Sequence, residues 1–136
     1  VHSYAKLIGE SENLDSRSLF ILEVAALTHD IGIHTCEEKY GSCGGKLQEK
    51  EGPAIAAKLL KELGFDDDVS ERVQFLIAHH HTYDNIDSAD YQILVEADFL
   101  VNIMEDGLSK EAALSAYNRI FRTECGKKIC RDMFGI

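Results

Sequence analysis

The chain has 136 residues, with 14 Lys and Arg against 24 Asp and Glu, so its formal net charge is −10. That length supports one domain able to bury about two thirds of the surface its unfolded chain exposes. Hydrophobic residues at 45% and charged residues at 28% exclude a disordered tail, and the acidic balance excludes a general binder of nucleic-acid polymers or anionic membranes.

One proline in the whole chain and few β-branched clusters predict helices. Leu19 to Thr28 (LFILEVAALT) is apolar nearly all round, the pattern of a buried helix, and Gly32 is placed to stop it. Ile33 to Gly52, loosened by Gly41, Gly44 and Gly45, reads as a loop with one short turn. Pro53 reads as the first position of a helix to about Leu63, closed by Gly64. Asp66, Asp67 and Asp68 are N-caps for a helix from Val69 to about His81. Tyr83 to Ser88 is polar and breaks the pattern. Tyr91 to Glu105 is helical again, ended by Gly107. Ser109 caps Lys110 to Thr123, and a short last helix, Lys127 to Met133, ends at Gly135. The expectation is a single all-α domain over residues 1–136.

No apolar run approaches the roughly 18 residues of a membrane span, and no secretory signal opens the chain. Cys36, Cys43, Cys125 and Cys130 miss the close spacing of a zinc ribbon. They read as reduced thiols of a cytoplasmic protein. The chain starts at Val1 rather than Met, so a preceding segment is expected to be missing.

Three groups carry chemistry. His29-Asp30 falls in the last turn of the most hydrophobic helix, where a polar pair is costly unless satisfied. A neutral imidazole and a carboxylate side by side can share a divalent ion; alternatively, the histidine sits on the helix dipole and the aspartate caps. Asp98 lies in LVEADFLV, apolar enough to be buried on most faces. A carboxylate there needs a metal, a cation or backbone donors, a salt bridge to a lysine or arginine being the plainer solution. His79, His80 and His81 end their helix about 100° apart, so all three cannot face one ion. His80 continues the core stripe of Val69, Val73 and Leu76/Ile77, and His79 continues the line through Phe75 and Leu76. The alternative for both is helix-end histidines on the dipole. His81 is expected to be solvated.

His2, then His29-Asp30 within HDIG, then Asp98 within EADFL together resemble the H…HD…D signature of the HD-domain superfamily. HDIG and the His79-His80 pair are similar to its small phosphohydrolase branch. The resemblance covers nearly the whole chain. It implies a helical bundle that hydrolyses small phosphate esters, often nucleotides, with His2, His29, Asp30 and Asp98 on one divalent ion: Mn, Fe, Co, Ni, Zn or Mg. Relatives with two metals usually carry a histidine where this chain has Gly52, so one tight ion and at most a weak second are expected. Some relatives carry a lysine after HDIG where this chain has Ile33.

Such an ion acidifies a bound water and screens phosphate charge. Asp30 is expected to orient the water, and Glu51 or His80 to protonate the leaving oxygen. His79, Lys46 or Lys39 are expected to contact the phosphate. The partner expected is a small phosphorylated substrate, a nucleotide by resemblance, and neither a nucleic-acid polymer nor a membrane. The alternative is a nucleotide-sensing or interaction module that keeps the fold without turnover.

Overall fold

The computed structural model describes all 136 residues as eight helices: α1 (His2–Ser11), α2 (Ser16–Thr28), α3 (Ile33–Tyr40), α4 (Gly45–Glu62), α5 (Asp67–His79), α6 (Ala89–Glu105), α7 (Lys110–Ile120) and α8 (Glu124–Phe134). The all-α expectation holds. Helices α2, α5 and α6 form the centre, with α1 on α2 and α6, and α4 along α5. Leu22, Ala25, Val73, Leu76, Ile77, Ile93, Leu94, Ala97 and Leu100 fill the space between them and are buried. Each large aliphatic side chain so enclosed contributes about 1.5–3 kcal/mol through removal from water.

The ends of the helices follow local chemistry. The Asp15 carboxylate accepts from Ser18 N at 3.1 Å and starts α2. Ser109 accepts from Ala112 N and starts α7. Thr123, expected inside that helix, instead accepts from Gly126 N and starts α8. The buried Glu96 explains this break: it takes the backbone N–H groups of Arg122 and Thr123 at 3.0 and 3.1 Å and the Thr123 hydroxyl at 2.6 Å. It thereby ties α6 to the α7–α8 turn.

Three expectations are corrected. The stretch after HDIG is mostly helix, because Glu37, Glu38 and Lys39 and the run KLQEKE are good helix formers and Gly41, Gly44 and Gly45 fall at the ends of the two helices. Gly41 takes φ +69° at the end of α3, Gly44 precedes α4, and Pro53 lies inside α4 rather than opening it. Gly32 does not stop α2 by a left-handed turn; its φ is −80° and it precedes α3. A Cβ on Gly32 would meet Gly52 N at 3.0 Å, so its role is the close approach of two backbones.

Within Ser16–Tyr40 an 18-residue window reaches a mean hydropathy of 1.3, which by length and composition alone is apolar enough to cross a membrane. The chain turns at 29–32 within this stretch, and α2 is a core helix of the bundle. All four cysteines are free thiols.

Candidate active site

His29 is the C-cap of α2, and the turn it begins presents Asp30. His29 Nδ1 donates to the Ala26 carbonyl at 2.8 Å, which fixes the ring and turns Nε2 toward α6. There Asp98 Oδ1 lies at 3.3 Å, and Asp30 Oδ2 at 3.2 Å from the same nitrogen. Neither oxygen is aligned for a hydrogen bond, so His29 Nε2 is a buried polar atom without a partner. His29 and Asp98 are each 5% exposed and form the floor, while the Asp30 side chain is 51% exposed and marks the mouth.

With no metal between them, the two carboxylates hold His29 in its protonated, cationic form. Burial lowers the His29 pKa, yet the Asp30 and Asp98 carboxylates override it and push it up to about 10. Burial also opposes ionisation of Asp30, and His29 outweighs it, holding that carboxyl below its usual range.

His80 is the second orphan. It is fully buried, its Nδ1 donates to the Ile77 carbonyl at 2.6 Å, and its Nε2 has no partner. Its ring meets that of His29 edge-on at 5.4 Å. Burial, then His81, pushes its pKa down to about 4, so it is neutral at pH 7 with a lone pair on Nε2.

The remaining expected residues are engaged elsewhere. His2 begins α1 and its Nε2 is bonded to Glu23 at 3.0 Å, the one carboxylate within ion-pair reach of it. Glu51 accepts from Lys39 at 3.1 Å and from the Tyr40 hydroxyl at 2.6 Å. Tyr40 and Lys39 hold its carboxyl below the usual range, so at neutral pH it is an acceptor and not an acid. His80, neutral and buried, is likewise no proton donor at that pH. Lys39 is committed to Glu51, and Lys46 to Glu49 at 3.0 Å and the Thr82 hydroxyl at 2.8 Å. His79 donates to the Phe75 carbonyl and stacks on the Phe75 ring at 4.2 Å. His81 is not simply solvated: Gln48 Oε1 lies 3.3 Å from its Nε2.

Glu49 and Tyr91 escaped the sequence reading. Glu49 takes the His81 backbone N–H at 3.1 Å and the Thr82 hydroxyl at 2.8 Å. The Tyr91 hydroxyl lies 3.0 Å from the His79 carbonyl oxygen. Together they fix the end of the histidine triplet. Only the proximity of Glu49 to the GGK segment could have hinted at this.

The donor chemistry fits a divalent ion. Two imidazoles anchored through Nδ1 present Nε2, that of His29 once an ion displaces its proton, and oxygens beside one of them complete an N,O set. Ligands about 2.1 Å from one ion at ordinary coordination angles stand about 3.0–3.4 Å apart, as these pairs do. No three His, Cys, Asp or Glu side chains are assembled as a finished ligand group, however.

The helical bundle sets a His-Asp pair at a helix end against an aspartate from another helix, donors suited to one divalent ion. The HD domain family matches residues 1–122, and the chain belongs to that family. No curated protein and no solved structure matches it.

Proposed function

We propose that this chain hydrolyses small phosphate esters, nucleotides being the first class to try, with the help of a divalent ion. The observation that carries this reading is the anchored His29 ring with carboxylate oxygens of Asp30 and Asp98 at 3.2 and 3.3 Å from its free Nε2. His29, Asp30 and Asp98 would hold the ion, and His2 would join them on leaving Glu23. Once bound, the ion supplies positive charge to the phosphate oxygens and acidifies a water at an open position.

The chain's own residues set the rest. Asp30, at the mouth, accepts a hydrogen bond from the attacking water and points its lone pair at the phosphorus. His29 and Asp98, both buried, exclude bulk water from the floor. Gly52 has no room for an added histidine, since a Cβ there would meet Ile77 Cγ2 at 2.7 Å, which supports one tight ion and at most a weak second.

The non-catalytic alternative draws on His2, Lys39 and Lys46, all tied up by carboxylates. Phosphate release from a panel of nucleotides with added Mn²⁺, Co²⁺ or Ni²⁺ decides between the two. Turnover that chelation abolishes supports the hydrolase. Binding without release supports a nucleotide sensor.

A further inference from the structure

Two adjoining cavities of about 270 and 290 Å³ lie beside the site and share Tyr83, Arg119 and Ile120. The first adds Ile86, Gln92 and Arg122; the second is largely apolar, with Phe99 and Ile103 in its wall. None of the candidate metal ligands lines either cavity.

Tyr83 joins the two regions. Its hydroxyl lies 3.4 Å from His81 Nδ1, the His81 ring lies 4.0 Å from His80, and His80 meets His29. Its other side packs on Phe99 at 5.0 Å, next in sequence to Asp98. Tyr83, His81 and His80 thus form a continuous wall from this cleft to the His29–Asp98 floor, along which one extended molecule could lie.

The cleft also concentrates positive charge in a chain of net charge −10. The arginine–carboxylate pairs of the molecule are made by Arg17 and Arg72; Arg119 and Arg122 have none. Arg122 is held in place by donating to the Phe121 and Arg119 carbonyls at 2.8 Å each. Two guanidinium groups beside an exposed aromatic ring and apolar walls match a flat organic anion.

We propose that this cleft is the subsite for the leaving-group half of the substrate, stacking an aromatic ring on Tyr83 and binding an anionic group on that half through Arg119 and Arg122, an inference that rests on the hydrolase reading above. The substrate class is then an aromatic phosphate ester carrying a second anionic group.

Naphthalene-2-sulfonate, a flat anion with no phosphate ester, tests the subsite by calorimetry on the full chain in the presence of a chelator. Binding is expected to weaken about tenfold in Arg119→Ala, the loss of one charge-assisted contact, and to recover in Arg119→Lys. Asp30→Ala is expected to bind the probe as the parent does. Arg119 is exposed and unpaired, so its removal leaves the fold intact. Equal affinity in the parent and Arg119→Ala, or no binding at all, overturns the subsite. For any nucleotide that is turned over, Arg119→Ala is expected to raise KM with kcat unchanged. Probe binding without any turnover would keep the pocket and sink the hydrolase reading; turnover with an unchanged KM would do the reverse.

Discussion

His29 Nε2 stands 3.3 Å from Asp98 Oδ1, joining the end of α2 to the middle of α6 through the interior of the bundle. The contact depends on the packing of α2 against α6 and on the Ala26 carbonyl that orients the ring. A buried aspartate needs a cation beside it, here the His29 imidazolium or a metal ion that takes its proton's place. Removing metal is therefore expected to lower stability, and adding it back to raise the melting temperature. With ion at 100 times its Kd the gain is about 2.7 kcal/mol. Thermal melts with and without chelator check this; identical curves would speak against an ion at this floor.

Asp30→Ala is expected to reduce phosphate release by more than about 100-fold, since it removes both a ligand oxygen and the acceptor for the water. Helix content by circular dichroism should stay near that of the parent, because the side chain is half exposed and follows the end of α2. Hydrolysis at the parental rate would remove Asp30 from the mechanism.

Asp98 and His29 were legible in the sequence because each is a polar group stranded in an apolar run, and burial makes such a group conspicuous. The buried helix α2 and the caps at Ser109 and Gly135 were legible for the same local reasons. The partners of the charged groups were not. Whether Lys39 meets a phosphate or Glu51 depends on how α3 packs on α4, and no spacing along the chain encodes that. Glu96 went unnoticed beside Asp98 although it is more deeply buried; its partners come from the α7–α8 turn.

Acid stability should depend on Arg72, which spans Asp87 and Asp90. Its Nε and Nη2 reach the two Asp90 oxygens at 2.9 and 2.7 Å, and Asp90 is nearly buried. Burial alone would raise the Asp90 pKa, but Arg72 and then Ser88 bring it below the usual 3.8. The folded state thus holds the proton less tightly than the unfolded one. The contribution is complete above about pH 4–5 and is lost as pH falls through the folded value. Asp90→Asn is expected to cost about 1–3 kcal/mol at pH 7 and to flatten the loss of stability below pH 4. Urea midpoints at pH 7, 4 and 3 measure both effects, and parallel pH profiles for parent and variant would contradict the assignment.

Metal number should follow from the crowding at Gly52. A Cβ at this position runs into Ile77 Cγ2 at 2.7 Å, inside the core face of α5. Gly52→Ala is expected to cost about 1–3 kcal/mol by overpacking, read as a shift in the urea midpoint. The parent chain, purified without added metal and dialysed, is expected to carry close to one ion per chain by elemental analysis. Two retained ions would mean that His80 and another donor complete a second site despite the absent side chain.

His2 offers the sharpest test of the ligand set, because its Nε2 is bonded to Glu23 at 3.0 Å while the resemblance assigns it to the ion. Its ring is about one third exposed, so it is free to turn. If His2 binds the ion through Nε2, Glu23 competes for the same lone pair or the proton upon it. Glu23→Ala is then expected to tighten Mn²⁺ binding by about tenfold, the worth of one hydrogen bond to a charged group. The double variant with His2→Ala should lose that gain and fall below the parent. Titration of Mn²⁺ against a competing chelator measures all three proteins under one buffer. A weaker site in Glu23→Ala would point instead to Glu23 orienting the ring from behind while Nδ1 ligates. Equal affinity across the series would leave His29, Asp30 and Asp98 as the whole protein contribution to the ion.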